Sequence, residues 1–459
     1  MMRKQPTTPP PQVTPKRDET IITQVREYEL ITPLFGGGVT PNEADPVTPI
    51  RGTEIRGHLR FWWRACRGGK AEFNGDLAKM KKAEGELWGT AAKKSAQTTK
   101  GDKAQQEVHQ PVQISIEAIN SGTGIKPFII VTNQSGRKRA AQNTQPNTPS
   151  AYAAFPLQPK EEEVYQQNLK LKEVQSNIRF KLTISFPAHQ RLEIEATLWA
   201  WETFGGIGAR TRRGFGALRC ISIKENNQAK TALLSEANLA KAQQWIVDNA
   251  KKHVTDGPWP DGVSHLTKNL IEGTHFKLVS FQSNESIVVW NSLIESLKKF
   301  RQKRHPSIRQ NARHPGRSEW PEPSAIRQLT NQSHPDHRNP IPNPAINKFP
   351  RASFGLPIIF HFKDNGDPVD TTLQGAEHER LASPLILRPL TCQEGKVVGL
   401  ALILDNPKTL PGGFVLLKKG NPTPQPVNAT LTPNEAKRIP PLNGQTDILR
   451  AFLDYLTTH

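Results

Sequence analysis

Apolar and polar residues alternate along several stretches of the chain, and each stretch predicts a strand. The first is TQVREYELITPLF, residues 23–35, where Val25, Tyr28, Leu30 and Ile31 alternate imperfectly before Gly36, Gly37 and Gly38 end the run. Further strands are predicted over 112–119 (VQISIEAI), 127–132, 177–186 (NIRFKLTISF) and 216–223 (GALRCISI). Helical spacing governs 50–67, IRGTEIRGHLRFWWRACR, from about Thr53, which is placed to cap the helix. Ile55, Leu59, Trp62, Trp63 and Cys66 form one stripe there, and Arg56, Arg60, Arg64 and Arg67 form the stripe beside it. A second helix is expected over 188–203, with Leu192, Ile194, Leu198 and Trp201 among its apolar positions. Residues 70–110 read as short helical pieces and a loop, 133–150 as a mobile insertion, and 151–157 as a segment tied to the core.

The second half predicts helices over 235–253, 286–301 and 446–457. Its expected strands lie over 275–282, 354–362, 381–390, 396–404 and 414–418. Residues 301–351 hold ten Lys/Arg, three acids, four histidines and many prolines, and read as a basic loop. The element order predicts an α+β fold of two ferredoxin-like (RRM-like) βαββαβ domains with insertions. The expected division is a disordered tail over 1–22, a first domain over 23–225 and a second, decorated domain over 226–459. The second domain rests on element order, since no internal repeat is visible. The strands carry no aromatic pair of the kind that RRM sheets stack on bases.

Charge narrows the function. The 459 residues include 61 Lys/Arg against 42 Asp/Glu, a net charge of +19, which favours a polyanionic partner. No run of about 18 apolar residues occurs, so no membrane span is expected, and the N-terminus lacks the apolar centre of a signal peptide. A cytoplasmic protein is the expectation. Three scattered cysteines, Cys66, Cys220 and Cys392, form no CxxC pair and read as reduced structural thiols.

Glycine lets backbone N–H groups approach phosphates closely, and arginine adds charge that reads backbone rather than base. Three segments combine the two: 32–38 (TPLFGGG), the arginine helix, and 204–216 (FGGIGARTRRGFG). The candidate contacts to a phosphate backbone, which the resemblance below makes RNA, are Gly36, Gly37, Gly38, Arg51, Arg56, Arg60, Arg64, Arg210, Arg212 and Arg213. Arg380 and Arg388, flanking a second-half strand, are added with surface placement as the alternative. Competing readings are a solvated helix face for the arginine stripe and a tight helix-to-strand connection for the glycine loop. Trp62 and Trp63 read as core rather than as base-stacking rings. Replacing Arg56, Arg60 and Arg64 together by Ala is expected to weaken RNA binding and leave the fold intact.

These three segments, in this order and spacing, resemble the RAMP superfamily of CRISPR effector proteins. More narrowly they resemble the first-subunit family of type III-B (Cmr) RNA-targeting complexes. Trp320-Pro321-Glu322-Pro323, Phe354-Gly355-Leu356-Pro357 and Ala382-Ser383-Pro384-Leu385 support the match. The resemblance implies two packed ferredoxin-like domains in a non-catalytic subunit. It also implies that the subunit holds the 3′ part of guide RNA and helps capture single-stranded target RNA beside other Cmr subunits, without a cofactor.

The rival is a metal-independent RAMP endoribonuclease acting on guide precursor RNA, with His58 in acid–base chemistry. No tyrosine or second histidine lies near His58 in sequence to complete the pair. His305, His314, His334 and His337 have neither the cysteines nor the fixed spacing of a zinc site. GGIGARTRRG lacks the GK[ST] ending of a P-loop. Its glycines follow a helix and precede a strand, the reverse of a Rossmann turn.

Overall fold

The computed structural model describes residues 20–45, 47–90, 111–232, 234–306, 316–405 and 412–458. The expected tail (through residue 19), residues 91–110 of the 70–110 stretch and His314 lie outside the described residues.

The first half opens with β1 (Ile21–Leu30), α1 (Gly52–Arg67) and α2 (Leu77–Trp88). β2 (Gln113–Ile125), β3 (Phe128–Thr132), β4 (Lys138–Gln142) and β5 (Val174–Pro187) follow. It closes with α3 (Arg191–Phe204), β6 (Leu218–Glu225) and β7 (Gln228–Lys230). β1 alternates strictly, but its buried positions are Ile22, Gln24, Arg26, Tyr28 and Leu30, so Val25 faces the other way. The inward polar residues are tolerated because each has a partner. Gln24 donates to Glu225 at 2.9 Å, and Arg26 and Tyr28 donate to the Glu202 carboxylate at 2.7 and 2.5 Å.

The five strands of the main sheet run β2-β5-β1-β6-β7, every neighbour antiparallel. Ile178, Phe180, Leu182, Ile184 and Phe186 of β5 point inward, into one cluster with the apolar stripe of α1 and with Ile194, Leu198 and Trp201 of α3. Leu192, expected inside, is 47% exposed. The outward residues of β1 and β5 contribute paired charges, Glu27 with Arg179 at 2.5 Å and Glu117 of β2 with Lys181 at 3.1 Å. That face is therefore no bare basic platform. β3, expected as a strand, pairs in a separate hairpin with β4, which lies in the stretch the sequence read as a mobile insertion, because the Asn133–Gly136 turn closes on itself.

The second half holds α4 (Leu239–His253), β8 (Phe276–Ser280), α5 (Ser286–Arg301) and α6 (Glu322–Thr330). β9 (Ile358–Phe360), β10 (Thr371–Gly375), β11 (Leu385–Thr391) and β12 (Val397–Ile403) come next. β13 (Phe414–Lys418), β14 (Asn421–Val427), α7 (Pro433–Lys437) and α8 (Ile448–Thr458) complete it. α6 lies inside the stretch expected to be loop. β10 and β14 were also missed: β10 is five residues long, and NPTPQPV argues against a central strand. β14 is in fact an edge strand, where proline is tolerated.

Two antiparallel sheets form here, β11-β12-β8 and β14-β13-β10-β9. β11 is buried at every position and β12 at all but its last. Ile386, Leu390, Leu400 and Leu402 join the first-half core, whereas Leu385, Leu387 and Ala401 join a second core with α5 and α8. Burial of both faces explains why these strands read as continuous apolar runs. The chain is thus a mixed α+β structure with antiparallel sheets, and one apolar cluster contains residues from both halves.

Candidate nucleic-acid interface

The three glycine- and arginine-rich segments meet in space. Residues 31–37 run alongside the loop between α3 and β6. Gly216 donates to Pro33 O at 2.8 Å, Ala209 to Phe35 O at 2.8 Å, and Thr32 Oγ1 to Gly214 O at 2.6 Å. The first turn of α1 closes the cluster: the Gly208 N–H donates to Glu54 Oε1 at 2.8 Å. Arg51, just before α1, donates to Gly37 O at 2.6 Å. Arg51 also takes the cap position, with extended backbone and no side-chain cap; Thr53, expected to cap, is the second residue of the helix and is exposed.

A small cradle results, with Gly37, Gly38 and Gly208 half-buried and Thr53, Gly57 and Ala209 exposed along it. Gly57 lies on the outer face of α1, and a Cβ there would meet nothing within 4 Å. His58 Nε2 stands 3.8 Å from Glu54 Oε1. Glu54 Oε2 is buried and has no hydrogen-bond partner among the described residues. Sequence reasoning passed over Glu54 and Gly57. The available signals were the i,i+4 spacing of Glu54 and His58 and a glycine inside a helix, where glycine costs about 1 kcal/mol against Ala.

The arginine stripe does not stand free. Arg56 donates to Trp88 O and Val112 O at 2.7 and 2.9 Å, and burial, then Arg60, pull its pKa below the usual value. Arg60 and Arg64 both pair with Glu84, at 2.6 and 2.5 Å. The Glu84 side chain is 5% exposed and the two arginines about one-third exposed. The triple Ala replacement would therefore strand a buried carboxylate, so it does not leave the fold untouched. Replacing Arg60 and Arg64 alone by Ala is expected to cost about 2–3 kcal/mol in a denaturant melt, below the range of about 3–5 for fully buried pairs. Adding Glu84→Gln should recover most of that loss. A double variant as stable as the parent would show that Glu84 does not depend on them. Trp62 and Trp63, at 3% and 1% exposure, lie in the core.

The glycine–arginine loop turns toward the second half. Arg210 donates to Ala153 O at 2.8 Å and stacks over Phe35. Arg212 donates to Ser383 O and lies over Phe61 of α1. Arg213 reaches Ser383 Oγ, Leu385 O and Phe354 O at 3.3–3.4 Å, and its own carbonyl accepts from Trp290 Nε1 at 2.7 Å. Burial, then nearby Arg301, pushes the Arg213 guanidinium down to about 9. The acceptors Phe354, Ser383 and Leu385 belong to two of the three second-half motifs. Arg388 does not flank its strand. It sits inside β11, 1% exposed, donating to Gly205 O at 2.6 Å and Leu218 O at 2.8 Å. Arg213 and Arg388 are ties between the halves, and Arg388 offers no surface to a ligand. Arg380 is exposed and lies five residues before β11.

Among the histidines, His337 Nδ1 lies 2.9 Å from Asp367, and with Asp364 these side chains place three potential metal ligands within 4.8 Å of one another. Arg327 occupies both Asp367 oxygens at 2.8 and 2.7 Å, so a fixed positive charge already stands there. Among the described residues, no helix is long and apolar enough to cross a membrane.

Residues 27–219 match the RAMP superfamily model. The chain is 26% identical over 211 residues to the CRISPR system Cmr subunit Cmr1-2 of Pyrococcus furiosus, a match covering 43% of this chain and 95% of that protein. Among solved structures, apo Cmr1 from Pyrococcus furiosus aligns at TM-score 0.41 and 16% identity, over 84% of this chain and 88% of that one. A chain of a type III-B Cmr-beta complex bound to cognate target RNA and AMPPnP aligns at TM-score 0.48 and 11% identity, over 96% and 99%. The glycine turn, the arginine helix and the glycine–arginine loop, which meet at one place in the fold, all fall within the matched region; residues 27–219 are similar to the RAMP superfamily, and the chain is similar to the Cmr subunit Cmr1-2.

Proposed function

We propose that the chain is a non-catalytic RNA-binding subunit of a type III-B CRISPR (Cmr) ribonucleoprotein. In this reading it holds the 3′ region of guide RNA or captures single-stranded target RNA, in contact with other Cmr subunits in the cytoplasm. The observation that carries the reading is the cradle, where two glycine turns and the start of α1 bring half-buried glycine backbone beside Arg51 and Arg210. Such a surface favours phosphate and makes no demand on base identity, as any spacer-accepting protein requires. The net charge of +19 supports it.

Strand order supports a ferredoxin-like assignment for each half. In the first, β1-α1-β2-β5-α3-β6 forms the sheet β2-β5-β1-β6, with β3–β4 as an insertion. In the second, β8-α5-β11-β12-α8 forms β11-β12-β8, with the four-stranded sheet inserted. The proposed division stays near residue 225, where β6 ends.

Gly57→Glu tests the surface, since it adds charge and bulk without displacing any neighbour. End-labelled single-stranded RNA shifted in gels over a salt range is expected to bind more strongly than matched duplex DNA. Affinity should fall steeply with salt, with a log–log slope of about −2 for three phosphate contacts. Gly57→Glu should weaken binding at least about tenfold, a change of 1.4 kcal/mol, with thermal unfolding no lower than the parent's, since it replaces a helical glycine. Full affinity in that variant would remove the cradle from the binding surface.

One observation favours the endoribonuclease reading: Glu54 gives His58 the carboxylate neighbour that the sequence did not reveal. Discrete RNA products formed without Mg²⁺ and lost in His58→Ala would establish it.

A further inference from the structure

The second half contains a polar cavity of about 360 Å³ between α6 and the segment that follows it. This is within the size range of small-ligand pockets, about 300–1,000 Å³. α6 explains the shape. Ala325 and Ile326 pack into a third apolar core with Phe349, Phe360 and Leu373. On the other side, Ser324, Arg327, Gln328 and Asn331 recur at i, i+3, i+4 and i+7, a single polar face. The returning segment supplies Gln332, His337 and Arg338 but does not close against that face.

Two of these side chains are held from behind. Asp367, with a side chain 2% exposed, accepts both hydrogen bonds from Arg327, one from the His334 N–H at 2.9 Å, and lies 2.9 Å from His337 Nδ1. Burial opposes its charge, but the bonds from Arg327 and His334 prevail and keep the carboxyl well below the usual range. Arg317 braces the same wall through Ser324 Oγ at 3.3 Å and His337 O at 3.4 Å. No carboxylate lines the cavity itself. The Arg338 guanidinium has no partner among the described residues, and Gln332 Oε1 is a buried acceptor without a donor.

We propose that this cavity binds a nucleoside phosphate unit, with Arg338 and Arg327 on the phosphate and the amides of Gln328, Asn331 and Gln332 on the base edge. Guanidinium groups match phosphate oxygens, and carboxamides present the donor and acceptor pairs that base edges require. Pro340 alone in the lining is apolar, which disfavours a hydrophobic ligand, and the Arg327–Asp367 pair disfavours a metal. The unit comes either from a free nucleotide or from single-stranded RNA. The site is separate from the cradle on α1 and stands if that reading fails.

Calorimetry of the full chain with AMP, UMP and inorganic phosphate tests it. Saturable binding of at least one nucleotide is expected, at least about tenfold tighter than phosphate alone. Arg338→Ala, which removes no contact within the protein, should weaken that binding about tenfold and leave thermal unfolding unchanged. Gln328→Ala should weaken nucleotide but not phosphate binding. Competition by a short single-stranded RNA assigns the unit to RNA, and its absence assigns it to a free nucleotide. Gly57→Glu should not alter nucleotide affinity, which keeps the two sites distinguishable. Absence of saturation by either nucleotide at millimolar concentration, or an Arg338→Ala protein that binds as the parent does, overturns the proposal.

Discussion

Arg388→Met is expected to lower stability by about 3 kcal/mol, from the cost of leaving buried acceptors without donors. The guanidinium bridges Gly205 O and Leu218 O from inside a strand buried on both faces. Methionine fills similar space but donates nothing, so two carbonyls of the first half lose their partner in a region closed to water. Arg388→Lys should recover only part of the loss, because one ammonium on a flexible stem does not reproduce a planar fork spanning two acceptors. Denaturant melts followed by circular dichroism measure both. If Arg388→Met unfolds at the same midpoint and slope as the parent, the tie contributes nothing.

Gly216→Ala is expected to be at least as damaging, about 3 kcal/mol or more. The residue has φ +62, and a Cβ there would stand 1.9 Å from Ile207 O. The obstacle is backbone, not a flexible side chain, and it is held in place because the Ile207 N–H donates to Gly216 O at 3.0 Å. Left-handed backbone costs about 1–2 kcal/mol for a residue with a Cβ, and the clash adds to it. Gly57→Ala is the control. In an open helical position, removing glycine should stabilise by about 0.5–1 kcal/mol. A Gly216→Ala protein with parental stability would mean that the loop opens without cost, and the account of how it joins the halves would fall.

These two residues show where sequence reading stops. FGGIGARTRRGFG was legible as a glycine- and arginine-rich connection from helix to strand, and so it is. The same letters also fit a phosphate surface, and nothing local separates an arginine facing solvent from one facing a carbonyl far along the chain. Arg213 meets Phe354, Ser383 and Leu385, partners 141 to 172 residues away. Arg60 and Arg64 share a similar history: the stripe was read correctly, but Glu84 lies on α2, outside the window in which helical spacing operates.

What the sequence by itself determined is local. Alternation placed β1, β5 and β6. The 3.6-residue period placed α1, α3 and α5, and the α1 tryptophans were assigned to the core because they fall on the apolar stripe. The three motifs that carry the family resemblance are also written in contiguous residues. Tertiary structure decided which cations are exposed and which are ties, that Gln24 and Arg26 are buried with partners, and that a polar face of α6 borders a cavity. The reason is physical. Backbone conformation responds to residues within a few positions, whereas the fate of a charge depends on which distant acceptor reaches it before water does.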